Sequence, residues 1–259
     1  MIELEKASYK YPGGRWVLRD ISLSVKPNEV VVVVGRNGKG KSTLGNILAG
    51  LYRPKGEILL DGKKYSKIKN KDLRKKVGVV FQNPDNQVIF ACVRDDMEFT
   101  LKNLGIINEE WEERITTSLA AVGMEDYIDA NPHELSYGQK QRIAIAGMLA
   151  VKPNYMIFDE PTAMVDNEGR EKICRIIRDL GDSEVGVVFV TNNIDEIRYG
   201  DRVVFLDGGK IFREHKKGEG TKIIKTLEEL GFGLTFYWQM VAASLKDATI
   251  RKLLEEMDE

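Results

Sequence analysis

The sequence predicts an α/β fold with an N-terminal β-subdomain, a helical insert and a short helical C-terminal extension. Three observations predict it. The apolar run at 30–34 leads into Gly35-Arg36-Asn37-Gly38-Lys39-Gly40-Lys41-Ser42-Thr43, and a helical stretch at 44–49 follows, stopping at Gly50. A second apolar run, Tyr155-Met156-Ile157-Phe158, ends in the adjacent carboxylates Asp159 and Glu160. Between these runs, residues 88–150 lose their strand signals and take up helical periodicity.

Length and composition narrow the possibilities. The 259 residues suit one large α/β domain, or one domain with appendages. An apolar content of 42% and a charged content of 31% describe a globular chain rather than a disordered one. A net charge of −1 gives no electrostatic reason to expect nucleic acid as a partner. No apolar stretch approaches the ~20 residues of a membrane span. The start, Met-Ile-Glu-Leu-Glu, lacks the basic segment and apolar core of a signal peptide. The chain is therefore expected in the cytosol, with any membrane role peripheral. Cys92 and Cys174 lie far apart without metal-ligand spacing. They are expected as free thiols, Cys174 on a helix's apolar side.

The elements follow in order. Residues 1–34 alternate apolar and polar positions (Ile2, Leu4, then Leu18, Ile21, Leu23, Val25), as half-buried strands do. Tyr9-Lys10-Tyr11-Pro12-Gly13-Gly14 reads as a turn. Tyr11 could stack on a nucleotide base, a contact that tolerates any base, or serve as an ordinary strand tyrosine. Residues 35–43 match G-x-x-x-x-G-K-S between a strand and a helix, the Walker A pattern. Gly35, Gly38 and Gly40 let the backbone wrap a polyphosphate, because no Cβ blocks the approach. Backbone N–H groups then point inward at the positive end of the following helix. Lys41 is expected to reach the β- and γ-phosphates, and Ser42 to place its hydroxyl on Mg²⁺.

Residues 56–61 read as a short strand ending in an Asp61-Gly62 hairpin signal. The lysine-rich stretch 63–76 is expected to be solvated surface. A strand at 77–81 ends at Gln82, and the polar run Asn83-Pro84-Asp85-Asn86-Gln87 follows. Ligands bind at the carboxyl ends of strands in α/β sheets, which makes that run a candidate contact region. Residues 95–104 and 109–122 carry apolar residues at helical spacing. In Leu135-Ser136-Tyr137-Gly138-Gln139-Lys140-Gln141-Arg142, Ser136 and Gln139 form an S-x-x-Q capping box, so a helix starts there. Such a start is either a plain capped helix or a second phosphate-binding end. Asp159 and Glu160 close a Walker B pattern. Asp159 is expected in the Mg²⁺ shell, and Glu160 is placed to orient or deprotonate water. A helix is expected over 168–180 and a buried strand over 185–190, ending at Thr191-Asn192-Asn193. Asp207-Gly208-Gly209 reads as a hairpin, and 213–220 as a charged linker. In the tail, Ile250, Leu253, Leu254 and Met257 share one helical face. Phe232, Phe236, Tyr237 and Trp238 could pack on the core or form a partner surface.

Taken together, Walker A, the stretch 135–142, Walker B and Asp166 resemble the ATP-binding cassette (ABC) ATPases, a group of P-loop NTPases, over about residues 1–215. The segment Leu135-Ser136-Tyr137-Gly138-Gln139 is similar to that family's LSGGQ signature. The resemblance implies a head-to-tail dimer in which each ATP lies between one subunit's Walker A and the other's signature. Ser136, Gly138 and Gln139 would thus face the partner's nucleotide. It further implies that Tyr11 is the base-stacking aromatic, that Asn37 and Thr43 belong to the phosphate cradle, and that Gln82 is the Q-loop residue sensing Mg²⁺ and the transporter. Asp166 would lie in a loop that crosses the dimer interface. The run Phe81-Gln82-Asn83-Pro84-Asp85-Asn86-Gln87 is more narrowly similar to the ATPases of energy-coupling factor transporters, which import vitamins and transition-metal ions. In such complexes Gln82, Asp85, Asn86 and Gln87 would lie against a membrane-embedded T-component, and a separate S-component binds the substrate. The resemblance makes residues 216–259 a dimerisation element and places the chain at the cytoplasmic face of the membrane. It also leaves room for the ATPase of another ABC transporter, or for an assembly subunit with little hydrolysis of its own.

Four positions depart from the family pattern. Arg36 and Lys39 replace the commoner Pro and Ser of Walker A, and Tyr137 replaces the third residue of LSGGQ. Asn192 stands where the family usually carries a histidine that contacts the γ-phosphate. Asparagine can donate a hydrogen bond, but it is shorter and never cationic. Loss of a positioned contributor at such a site commonly costs ~10²–10³ in rate. The chain's own site is therefore expected to bind ATP and hydrolyse it weakly, within a heterodimer whose other ATPase keeps the histidine.

Overall fold

A computed structural model describes residues 1–245. The apolar tail positions Ile250, Leu253, Leu254 and Met257 lie outside the described residues.

The chain opens with β1 (Ile2–Lys10), β2 (Trp16–Val25) and β3 (Glu29–Val34), followed by helix α1 (Lys41–Leu48). Next come β4 (Lys55–Leu60), β5 (Lys63–Lys64), α2 (Asn70–Lys76) and β6 (Val77–Val80). The helical insert holds α3 (Val93–Leu104), α4 (Trp111–Ala121) and α5 (Tyr137–Leu149). The chain then returns to the sheet through β7 (Tyr155–Asp159), α6 (Asn167–Asp182), β8 (Gly186–Thr191), β9 (Arg202–Asp207) and β10 (Lys210–Lys216). Helices α7 (Gly220–Glu229) and α8 (Phe236–Ser244) complete the described chain.

Two sheets result. One is antiparallel, in the order β2-β1-β4-β5; the other has the order β10-β9-β3-β8-β7-β6. In the second, β9, β3, β8, β7 and β6 run parallel, and β10 is the antiparallel edge. Parallel strands covered on both faces read as unbroken apolar runs rather than alternating ones. β3 illustrates this. Val30, Val32 and Val34 point into one core with the helical insert, while Val31 and Val33 point into another with α1 and the antiparallel sheet. All five are fully buried.

The topology also decides where chemistry can sit. The loops after β3, β8, β7 and β6 leave the same edge of the sheet. They carry, in spatial order, Walker A, Asn192, Asp159 with Glu160, and Gln82. Residues far apart in sequence are therefore brought side by side at strand carboxyl ends.

One expectation is corrected. The first half of 213–220 is strand rather than linker: β10 extends to Lys216 and pairs with β9 through Lys216↔Arg202. The charges of Arg213 and Glu214 face outward from this edge strand and are partly neutralised by Glu229 and Arg202, so a charged run was compatible with pairing. Among the described residues, the tail has no core of its own. Ile223, Ile224, Leu227 and Trp238 join the core beneath the helical insert, while Phe236 stays exposed.

Candidate functional site

β3 ends at Val34, and the backbone turns at once. A Cβ on Gly35 would stand 2.5 Å from the carbonyl of Leu206, so only glycine fits there. Gly38 and Gly40 adopt φ of 75° and 97°, the left-handed region that favours glycine. Helix α1 has no side-chain cap and no acidic residue in its first turn. Its first N–H groups face the loop without side-chain partners, at the positive end of the helix dipole. Lys41 is buried, and its Nζ lies 3.2 Å from Glu160 Oε1 and 3.4 Å from the carbonyl of Arg36. Tyr11 stands just past the end of β1, its ring partly exposed and its hydroxyl 3.1 Å from Thr43 Oγ1. Tyr9 and Tyr52 pack edge-on against that ring.

At the end of β7, Asp159 Oδ1 is buried and has no hydrogen-bond partner. Burial pushes the Asp159 carboxyl above its ordinary range, and Glu160 adds to this. The Ser42 hydroxyl and Lys41 draw it down. A buried, unpartnered carboxylate oxygen is costly unless something cationic completes it. Its neighbour is an exposed hydroxyl on Ser42. A carboxylate and a hydroxyl are hard oxygen donors, the type Mg²⁺ takes when phosphates and waters supply its other ligands. The residues present therefore fit that ion.

Glu160 has a φ of 49°, uncommon for a residue with a side chain. Its N–H donates to the carbonyl of Val190 at 2.9 Å, which fixes it against β8. Asn192 bridges the loops: its Nδ2 lies 3.2 Å from Asn37 Oδ1 and 3.5 Å from Glu160 Oε2. Asn37, Lys41, Ser42, Asp159, Glu160 and Asn192 thus form one cluster across β3, β8 and β7, with Tyr11 and Thr43 at its flank.

The remaining expected residues form a second group. Ser136 and Gln139 complete a full capping box at the start of α5: Ser136 Oγ accepts from the Gln139 N–H at 3.3 Å, and Gln139 Oε1 accepts from the Ser136 N–H at 2.9 Å. A Cβ on Gly138 would stand 3.0 Å from Val165. Asp166 caps α6 by accepting from the Gly169 N–H at 2.8 Å. Gln82 is exposed, and its carbonyl accepts from the Tyr137 hydroxyl at 3.1 Å. Among the described residues, no hydrogen bond or ion pair joins Ser136, Gly138, Gln139, Asp166 or Gln82 to the first cluster.

The sequence reading missed several contributors and turned one the wrong way. Gln87, expected against a membrane-embedded component, turns inward because both ends of its amide are taken by its own loop, accepting from the Phe81 N–H at 2.7 Å and donating to the carbonyl of Val79 at 3.0 Å. Of the residues expected to face a partner, Gln82, Asp85 and Asn86 are the exposed members. Lys140 reaches Asp85 at 3.0 Å, and Gln141 donates to the carbonyl of Phe81 at 3.0 Å. Residues 137, 140 and 141 share one face of α5, a spacing that was available in the sequence. Glu196 is buried and accepts from Thr162 at 2.7 Å and Thr191 at 2.5 Å, stitching the loop after β7 to the loop after β8.

The chain is similar to known proteins over most of its length. The ABC transporter family profile matches residues 18–163. The energy-coupling factor transporter ATP-binding protein EcfA1 of Oceanobacillus iheyensis is 40% identical over 251 residues, 96% of this chain and 88% of that one. The corresponding EcfA of Methanothermobacter thermautotrophicus is 44% identical over 218 residues, 83% and 70% of the two chains. The structure of cbiO1 from Clostridium perfringens, part of the ABC transporter complex cbiONQ, superposes with a TM-score of 0.77 at 32% identity, covering 98% of each chain. The cassette MJ0796 in a post-hydrolysis state, bound to ADP and Pi, gives a TM-score of 0.73 at 32% identity, covering 83% of this chain and 98% of that one. With this fold, a Walker A and Walker B cluster at the strand ends and relatives of this kind across most of its length, the chain belongs to the ABC transporter family, among the ATP-binding proteins of energy-coupling factor transporters.

Proposed function

We propose that the chain is the ATP-hydrolysing subunit of an energy-coupling factor importer for a vitamin or transition-metal ion, working at the cytoplasmic face of the membrane as one half of a heterodimeric ATPase pair. One observation carries this reading. The catalytic cluster of Lys41, Asp159, Glu160 and Asn192 lies on one set of loops, while the signature Ser136–Gln139 is held apart from it by its own capping box. A nucleotide bound at Walker A leaves the signature unused, so a second cassette must supply one. This chain's signature in turn serves that cassette.

The roles follow from position. The N–H groups of Gly38, Gly40 and α1, together with Lys41, hold the phosphates. Tyr11 stacks on the base. Ser42 and Asp159, with Gln82 from the neighbouring loop, would hold Mg²⁺, which when bound neutralises phosphate charge. Glu160 orients the attacking water and accepts its proton. Lys41 must leave Glu160 to reach a phosphate, and that exchange frees the carboxylate for the water. Asn192 steers Glu160 by donating to Oε2, but it brings no positive charge. That deficit supports a second reading for this chain's own site, an assembly site with little turnover.

Gln82, Asp85 and Asn86 carry the motion to the membrane component. The loop they lie on is bound to α5, and beside it opens a groove of about 400 Å³ whose lining includes Gln87, Ile89 and Phe99. Ile89 and Phe99 are large apolar residues exposed there, which supports docking of an apolar segment. Asp166 and residues 216–259 are assigned to the contact between the two ATPases.

The test is MgATP hydrolysis by the purified chain, with Glu160→Gln as the blank and dimer formation followed by light scattering. ATP binding with turnover near the blank, and turnover restored by a co-purifying second ATPase, is the expected result. Robust turnover by the chain alone, lost in Glu160→Gln, removes the heterodimer reading and leaves a competent homodimer. Extraction of the chain from membranes together with integral subunits tests the importer assignment.

A further inference from the structure

Arg36 is the Walker A residue that departs most in size from the family pattern, and its side chain does not point at the phosphate loop. Its guanidinium donates to the carbonyl of Gly231 and lies over the ring of Phe232, 5.7 Å from the centroid. Gly231 has a φ of 71°, in the left-handed region that favours glycine. Immediately downstream, the same segment grips a different loop. Thr235 Oγ1 donates to Asp195, and Trp238 Nε1 donates to the carbonyl of Ile194 at 2.9 Å. Those residues follow Asn192, which itself reaches Asn37 at 3.2 Å. The contacts close a ring: Walker A to 231–232, 235–238 to 194–195, and Asn192 back to Walker A.

We propose that the turn between α7 and α8 is a latch on the phosphate loop, with Arg36 as the positioning residue that transmits it. The proposal rests on Walker A being the ATP site. The transmission is through the main chain. The carbonyl of Arg36 accepts from Lys41 Nζ at 3.4 Å and from the Lys39 N–H at 3.3 Å. Holding the Arg36 side chain therefore fixes where its carbonyl stands, and with it the resting place of Lys41. A loop containing Gly38 and Gly40 in left-handed conformations is otherwise free to sample many shapes. Pinning it before ATP arrives reduces the ordering that binding must impose, so the latch favours affinity. The C-terminal extension thereby acts on the nucleotide site of its own chain.

The test uses the full chain and MgATP titrated by calorimetry, with hydrogen exchange of residues 36–40 followed in the nucleotide-free protein. Phe232→Ala leaves Walker A untouched and removes the ring beneath Arg36. It is expected to raise the ATP Kd about threefold and to speed exchange at 36–40. Phe232→Tyr keeps a ring and is expected to restore both. Arg36→Ala is expected to raise Kd about tenfold. Adding Phe232→Ala to Arg36→Ala should change nothing further, because the two residues act as one contact. The latch is overturned if Phe232→Ala leaves both Kd and exchange unaltered, or if its effect adds in full to that of Arg36→Ala. The latter result would make Arg36 a charge acting directly on the phosphates. Lys41→Ala is the control. Retained ATP binding there overturns the Walker A reading itself, whereas lost binding there with an inert Phe232→Ala overturns the latch alone.

Discussion

The loops after β3, β8 and β7 and the loop after β6 leave one edge of one sheet, yet their polar groups are placed in opposite ways. In the first set, a carboxylate oxygen of Asp159 is buried without a partner, Glu160 has a positive φ, and Lys41 and Asn192 make contacts of 3.2–3.5 Å that a ligand could replace. In the second, Gln87 seals its own loop, and Tyr137, Lys140 and Gln141 bind that loop to α5. One region leaves a carboxylate oxygen open at the ligand site, whereas the other uses its side-chain donors on its own loop, with Gln141 Oε1 its one buried acceptor left unpaired among the described residues. Groups left incomplete by the fold are available to a substrate; groups completed by it make a rigid lever. A site that binds and a unit that transmits need these opposite arrangements.

If this contrast is sound, the first region should respond to changes in one side chain's chemistry and the second to loss of its hydrogen bonds. The largest effect is expected from Asn192→His. A histidine could carry charge to the γ-phosphate that asparagine cannot. Turnover at this chain's own site should rise about 10²-fold, with little change in the urea midpoint, because Asn192 is exposed. The measurement is single-turnover hydrolysis in an assembly whose other ATPase is inactivated. An unchanged rate would place the limitation elsewhere and weaken the heterodimer reading.

Gln87→Leu probes the other side of the contrast. It leaves the Phe81 N–H and the carbonyl of Val79 without their side-chain partner. A partly buried donor or acceptor left unpaired costs about 1–3 kcal/mol. The variant should lose about that much stability by urea titration, while ATP binding by the chain changes little. Transport by the assembled complex should fall more than its ATPase rate if, as proposed, this loop carries motion to the membrane component. Equal losses in both would mean that the unit belongs to the catalytic site after all.

Much of this contrast was legible in the sequence, for identifiable reasons. Walker A, Walker B and the capping box at 136–139 are local patterns, each fixed by a few neighbouring residues, so a linear reading finds them. The bonds of Asn192 to Asn37 and Glu160 depend on strand order, with β8 between β3 and β7, and nothing local encodes that order. The linker expected at 213–220 failed because an edge strand can be as charged as a loop when only one partner strand covers it. In the sequence Arg36 stood out only as a departure from the Walker A pattern. Its partner lies 195 residues away, which no spacing rule reaches.

The smallest effect comes from a carboxylate that resembles Asp159 in burial but not in bonding. Glu196 is buried, and both of its oxygens are satisfied, by Thr162 and Thr191. Burial still pushes its carboxyl above the ordinary value of 4.5, although the hydroxyls and Arg170 pull it back. A raised folded-state value means that the native protein takes up a proton before the unfolded chain does. As pH falls through the folded value towards 4.5, Glu196 therefore gains stability for the fold, and above that window it detracts. Glu196→Gln keeps the shape and removes the titration, and a threonine hydroxyl can turn to accept from the new amide. At pH 7.5 the variant should match or slightly exceed the parent in urea midpoint, and at pH 5 the parent should gain on it. A gap that does not change between these pH values would mean that the hydroxyls fully offset burial at Glu196. The unpartnered oxygen of Asp159 would then be the sole feature separating the two carboxylates.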